Sequence, residues 1–114
     1  MRRAIGLAGL AILIFSGAPV GAQDGEQDAK DVRQGRIFAE RVCTTCHGIQ
    51  LGQASPAAGA PNFYTIATTP GMSPIALRVV LETPHHSMPN FPFSDEERRT
   101  VIAYILSLRP PEKR

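Results

Sequence analysis

The chain is 114 residues long, with 12 Lys and Arg residues against 10 Asp and Glu residues, and its formal net charge at pH 7 is +2. Arg2 and Arg3 account for that excess, since the rest of the chain has 12 − 2 = 10 basic and 10 acidic residues. Aromatic residues make up only 6 % of the chain. A neutral chain with few stacking aromatics argues against nucleic acid as a partner, because such binding needs a basic surface.

The first 22 residues have the layout of a secretory signal peptide. Residues 1–3 are a basic start, residues 4–15 are an uncharged apolar run, and Val20-Gly21-Ala22 resembles a small-residue cleavage site. The apolar run is short for a membrane span, so we expect cleavage after Ala22, and an uncleaved membrane anchor is the alternative. Cleavage leaves 114 − 22 = 92 residues, one small domain for which a hydrophobic core alone is marginal.

A first helix is predicted after a polar stretch. Residues 23–30 are expected to be a flexible leader. Asp31 is the predicted N-cap, with Gln34 three residues on as in a capping box. Apolar or small residues then recur at helical spacing, at Val32, Gly35, Phe38, Ala39 and Val42.

Cys43-Thr44-Thr45-Cys46-His47, directly after this helix, is the most informative motif of the chain. Each cysteine can form a thioether with one vinyl group of a haem, and the adjacent histidine is then held under the iron as the proximal ligand. The porphyrin fixes the distance between its vinyl groups and its metal, so the chemistry needs this spacing. The motif predicts one haem c, bound covalently through Cys43 and Cys46 and ligated by His47.

Two other interpretations of the cysteine pair stay open at this point. A redox-active disulfide is expected in a βαβ context, which the sequence lacks. A zinc site needs further ligands at short spacing, and the chain has no third cysteine. Haem staining after denaturing electrophoresis separates these alternatives, because only a covalently bound haem survives denaturation.

The middle of the chain predicts one long loop, one helix and a second loop. Residues 48–69 hold many Gly, Pro and small residues, and we expect them to pack on a haem face. Ser73 and Pro74 suit the N-cap and the first position of a second helix, which Pro84 ends. Residues 85–93 form the second loop.

The last helix has the strongest start signal. Ser94 and Glu97 form a capping box, and Pro110 and Pro111 stop the helix. Its apolar face consists of Val101, Ile102, Tyr104, Ile105 and Leu108. No convincing strand is found, so the predicted class is all-α.

Met88 is the candidate for the second iron ligand. It lies 88 − 47 = 41 residues after His47 in the second loop. Pro89 biases Met88 to an extended backbone, which fixes the direction of its thioether. A neutral thioether stabilises ferrous haem and raises the reduction potential. The rivals are Met72, which precedes a helix cap, and the loop histidines His85 and His86.

These features together resemble those of small single-haem class I cytochromes c of the bacterial exported type. The resemblance runs from about Asp31 to Leu108. It rests on Gly35 and Phe38, Cys43 to Gly48, Ala60 to Phe63, Met88-Pro89 with Phe91, and Ala103 to Leu108. It implies a cytochrome c-like fold of about three main helices and long loops around one covalently bound haem, in a domain at residues 31–109 with a tail at residues 110–114.

The resemblance also assigns roles to three residues. The first and last helices are expected to cross at Gly35 and Tyr104. The carbonyl of Pro61 is expected to accept a hydrogen bond from Nδ1 of the proximal histidine, which orients the ring. One departure concerns partners: only Lys30 and Lys113 are lysines, so the lysine-ringed docking face of mitochondrial cytochrome c is missing.

Electron transfer is the favoured function. With His47 and Met88 both bound, the iron has no open position for a substrate, and we expect a periplasmic carrier, or a subunit of an exported redox enzyme, that is not itself an enzyme. The expected partners are an exported dehydrogenase as donor and an oxidase or cytochrome as acceptor, with membrane association only if the N-terminal segment is uncleaved. Without Met88 the open iron could bind a gas or peroxide, with His85 or His86 as the acid–base residue.

Overall fold

The structure is a computed structural model that describes residues 12–14, 16–17, 19–84 and 87–112. Four α-helices follow one another along these residues: α1 Val20–Val42, α2 Phe63–Thr68, α3 Pro74–Glu82 and α4 Asp95–Ser107. The same residues contain no β-strand beyond an isolated bridge at Met88. The predicted all-α class is therefore confirmed, with four helices where about three were expected.

Most of the predicted signal peptide lies outside the described residues. Residues 12–14, 16–17 and 19 are described and are exposed, and Ala22 falls within α1. No helix among the described residues is long and apolar enough to cross a membrane. The signal peptide and its cleavage after Ala22 stay predictions.

The predicted start of the first helix is wrong. α1 begins at Val20, and residues 23–30, expected to be a flexible leader, are helical with every side chain exposed. Asp31 lies inside the helix and is 7 % exposed. Its carboxylate accepts a hydrogen bond from Gln27 Nε2 at 2.7 Å and pairs with Arg99 of α4. Asp31 thus joins two helices, and the expected capping box with Gln34 does not form.

The segment expected to be one long loop contains the short helix α2. The side chain of Asn62 caps it by accepting a hydrogen bond from the Thr65 N–H at 2.8 Å. Phe63 and Ala67, one turn apart, are its buried residues. Six residues are too few to produce a clear helical period, so the sequence pattern did not predict this helix.

The predicted starts of α3 and α4 are confirmed. The Ser73 hydroxyl accepts a hydrogen bond from the Ala76 N–H at 3.1 Å. At the start of α4, the Ser94 hydroxyl accepts from the Glu97 N–H at 3.1 Å, and the Glu97 carboxylate accepts from the Ser94 N–H at 2.8 Å. These hydrogen bonds with Ser94 hold the pKa of Glu97 below its usual range, since they favour the charged carboxylate.

The core forms where α1 and α4 pack together, with α2 and α3 against α4. Gly35 lies at the closest approach of α1 and α4. A Cβ atom at Gly35 would lie 1.9 Å from the Thr100 carbonyl oxygen and 2.9 Å from Tyr104 Cβ. Only glycine fits such distances, so the predicted crossing of the first and last helices at Gly35 and Tyr104 is confirmed.

Gly35→Ala is expected to force α1 and α4 apart. Overpacking of this kind costs about 1–3 kcal/mol or more. The atom that the new Cβ would meet first belongs to the backbone and cannot rotate away. We expect a clearly lower thermal unfolding midpoint, measured by circular dichroism on the holoprotein. Gly25→Ala is the matched control, because a Cβ at Gly25 meets nothing within 4 Å. A Gly35→Ala variant as stable as the Gly25→Ala variant would contradict the crossing.

Candidate haem-binding site

The motif residues lie in a hydrogen-bonded turn at the end of α1. Cys43 is the C-cap of α1, and its N–H donates to the Ala39 carbonyl at 2.8 Å. The N–H groups of Cys46 and His47 both donate to the Cys43 carbonyl, at 3.2 and 2.9 Å. All three side chains are half-buried. One turn of backbone therefore brings two thiols and one imidazole together, with each accessible to a bound group.

The His47 imidazole is held by two contacts. Its Nδ1 lies 2.6 Å from the Pro61 carbonyl oxygen, and its ring centroid lies 5.6 Å from that of Phe63 at an interplanar angle of 47°. A carbonyl only accepts hydrogen bonds, so Nδ1 must carry the proton and donate. The lone pair of the neutral ring is then on Nε2, which is the atom a metal would bind.

The loop after His47 is held in shape by its own side chains. The Gln53 side chain accepts hydrogen bonds from the Ile49 N–H at 2.9 Å and the Gln50 N–H at 3.1 Å. Ser55 Oγ accepts from the Gly48 N–H at 3.0 Å. A Cβ at Gly48 would lie 2.3 Å from the Gln53 carbonyl oxygen, so this close turn needs glycine. The roles of Gln53 and Ser55 could not be predicted from the sequence, because polar residues in a loop carry no periodic signal.

Helix α4 reaches this loop through Tyr104. The Tyr104 hydroxyl donates to the Ile49 carbonyl at 2.7 Å, in a buried setting. The Tyr104 and Phe63 ring centroids are 6.3 Å apart at an interplanar angle of 60°. Phe63 in turn donates its N–H to the Gly48 carbonyl at 2.8 Å. The site is thus built from segments that are far apart in sequence.

The thiols do not suit the two alternative interpretations. Burial raises the pKa of the Cys43 thiol to about 11, whereas a redox-active cysteine needs a stabilised thiolate. Across the described ranges, no group of three or more His, Cys, Asp or Glu side chains could hold a metal ion, so a zinc site lacks its ligand set there. Two free thiols beside an imidazole with an available Nε2 do match the needs of haem c.

The structure places Met88 in the loop between α3 and α4, with its side chain half-buried. The rival Met72 packs against the hydrophobic core just before α3, and its carbonyl accepts a hydrogen bond from Arg109. His85 and His86 lie outside the described residues. The assignment of Met88 as an iron ligand stays a prediction.

Arg98 connects the two ends of the loop that carries Met88. Its Nη2 donates to the Phe93 carbonyl at 3.0 Å, at the end of the loop. Its Nε lies 3.3 Å from Oε1 of Glu82, the last residue of α3, and its Nη1 lies 2.6 Å from Asp95 Oδ1. The Arg98 side chain is only 14 % exposed, whereas the side chains of Asp95 and Glu82 are 88 % and 43 % exposed, so solvent screens both ion pairs on the acidic side.

Comparison with known proteins agrees with this chemistry. The family model described as "Cytochrome C oxidase, cbb3-type, subunit III" matches residues 30–105. The chain belongs to this family of c-type cytochromes. Cytochrome c-552 of Bradyrhizobium diazoefficiens is 42 % identical to it over 82 residues, which cover 72 % of the chain and 79 % of the relative. No solved structure is significantly similar to the chain.

Membership of the family confirms two predictions made from the sequence. The cytochrome carries covalently bound haem c, and it is a single-haem electron-transfer protein. The matched region runs from the middle of α1 to near the end of α4, and so contains all the contacts that surround His47.

Replacing either cysteine should reduce covalent haem attachment. Cys43→Ala and Cys46→Ala each remove one of the two proposed thioethers, so we expect a several-fold lower yield of protein that stains for haem after denaturing electrophoresis. Thr45→Ala is the control, because Thr45 lies within the motif but is exposed. Normal staining of either cysteine variant would show that two thioethers are not required.

Proposed function

We propose that the cytochrome is a periplasmic electron carrier, not an enzyme, with its haem attached through Cys43 and Cys46 and its iron held by His47 and Met88. The observation that carries this proposal is the 2.6 Å contact of His47 Nδ1 with the Pro61 carbonyl. It fixes the tautomer and the direction of the imidazole in advance. Haem c bound at this position supplies a one-electron couple.

Pro61 acts on the proposed ligand His47 in this proposal. A proline carbonyl that accepts the Nδ1 proton increases the electron donation of the imidazole and holds its plane. The position of that carbonyl is itself fixed, because the next residues are tied down by Asn62 as the cap of α2 and by the Phe63 N–H on the Gly48 carbonyl. The hydrogen-bond acceptor for His47 Nδ1 is therefore a fixed backbone carbonyl and not a mobile side chain.

Met88 is the second iron ligand in this proposal. Two features support it: the extended backbone that Pro89 imposes, and the contacts of Arg98 with both ends of the loop. A loop whose ends are fixed restricts the region that the Met88 thioether can reach. If His47 and Met88 both hold the iron, a substrate would have no open site on the metal, and electron transfer would be the remaining chemistry.

The proposed setting is the periplasm. The N-terminal segment supports export, and the family description names an oxidase subunit, which supports a respiratory acceptor. We propose an exported dehydrogenase as donor and an oxidase or another cytochrome as acceptor, with this protein as a free carrier or as a subunit of such an enzyme. Its balanced charge favours weak, transient apolar contacts over a lysine-ringed docking face.

Optical spectroscopy of the purified exported protein tests the ligation. Oxidised and reduced spectra should be those of a low-spin c-type haem, and the ferric form should show the weak near-infrared charge-transfer band of sulfur-bound haem. A c-type spectrum without that band would contradict Met88 as a ligand and leave a bis-histidine or an open iron.

Met88→Ala should lower the reduction potential and open the iron to carbon monoxide. Loss of a soft thioether removes its stabilisation of the ferrous state, and we expect a fall on the order of 100 mV, a fraction of the ~0.8 V that axial ligands span. A redox titration and a carbon monoxide difference spectrum measure both effects. Met72→Ala is the matched control and should change neither. An unchanged potential in Met88→Ala would remove Met88 from the site.

A further inference from the structure

We propose that Phe63 is a positioning residue for the His47 imidazole, and that Tyr104 holds Phe63 in place. Through this contact the interior of the protein sets the orientation of the proximal ligand and, with it, the reduction potential of the haem. The inference rests on the proposed ligation by His47.

The hydrogen bond with Pro61 alone leaves one rotation of the imidazole unrestricted. A carbonyl oxygen accepts hydrogen bonds over a broad range of directions, so the ring can rock about the line from Nδ1 to the Pro61 oxygen. The Phe63 ring, at a centroid distance of 5.6 Å and an angle of 47°, lies against the His47 ring and restricts that rocking. Two contacts of different kinds therefore fix both the direction and the plane of the imidazole.

Phe63 is itself firmly held. The residue is 4 % exposed, and its N–H donates to the Gly48 carbonyl at 2.8 Å. Its ring also packs on that of Tyr104, at a centroid distance of 6.3 Å. Phe63 thus lies between the imidazole and α4 as part of the core, and it cannot move away without disturbing both.

Tyr104 completes the support from the other end of the chain. It is 5 % exposed, and its hydroxyl donates to the carbonyl of Ile49, two residues after His47. Gly35 allows α1 to approach Tyr104 closely, which restricts its position further. Tyr104 therefore holds the His47 segment twice, by a hydrogen bond to its backbone and by a ring contact through Phe63.

A change in the contacts of Phe63 and Tyr104 should alter the reduction potential and the g values of the haem iron. Looser packing weakens the Nδ1–H···O contact, so the imidazole donates less electron density and stabilises ferric haem less. The potential should then rise. The orientation of the ligand plane also sets the g anisotropy of low-spin ferric haem, which electron paramagnetic resonance measures directly.

The test compares Phe63→Leu with Phe38→Leu in covalently loaded holoprotein. Phe38 is a matched control, because it is also buried, at 6 % exposure, and its ring packs on Phe93 at 5.6 Å. Both variants should lose stability. Only Phe63→Leu should shift the g values and raise the reduced-to-oxidised ratio at a fixed solution potential, by about fivefold, or about 40 mV at 59 mV per tenfold change.

Tyr104→Phe is the second variant, and it decides the question if Phe63→Leu yields no holoprotein. It keeps the ring and removes only the hydrogen bond to Ile49, so we expect a smaller shift in the same direction. Unchanged g values and potential, or an equal shift in Phe38→Leu, would overturn the inference and leave the proposed function standing. A wild-type protein without low-spin haem ligated by His47 would overturn both.

Discussion

The close approach of α1 and α4 at Gly35 is the constraint on which the rest of the structure depends. It brings the backbone of α1 against the Thr100 carbonyl and Tyr104, where a single added carbon would not fit. Because α1 ends in the turn that holds the cysteines, and α4 carries the hydroxyl that binds Ile49, this one crossing fixes the two halves of the site relative to each other. The haem motif is therefore anchored next to this helix crossing.

Several of the hydrogen bonds that order the region around His47 are accepted by backbone carbonyls. The carbonyls of Pro61, Gly48 and Ile49 each accept a hydrogen bond that orders the region around His47. Backbone acceptors are independent of side-chain identity, so substitutions in the loop can preserve them. What cannot vary freely is the set of residues that shapes this backbone, namely the close-packed Gly48 and the Asn62 cap.

Features that depend on a few neighbouring residues could be predicted from the sequence. The Ser73 and Ser94 caps are local hydrogen bonds, and the spacing of Cys43 to His47 is set by the dimensions of haem. Asp31 has the residue type of a cap, yet its partner Arg99 lies far along the chain, so no local pattern could show that Asp31 forms an ion pair between α1 and α4. For the same reason the hydrogen bond of Tyr104 to Ile49 was not predicted, although the position of Tyr104 at the helix crossing was.

The burial of Cys43 has a consequence for the order in which the protein is made. In the folded chain its thiol pKa lies at about 11 instead of the ordinary 9.0, so the reactive thiolate is roughly a hundredfold scarcer at neutral pH. In the folded polypeptide the Cys43 thiol would therefore react slowly with a vinyl group of the haem. We therefore expect thioether formation at Cys43 to be faster before α1 packs against α4 than after it.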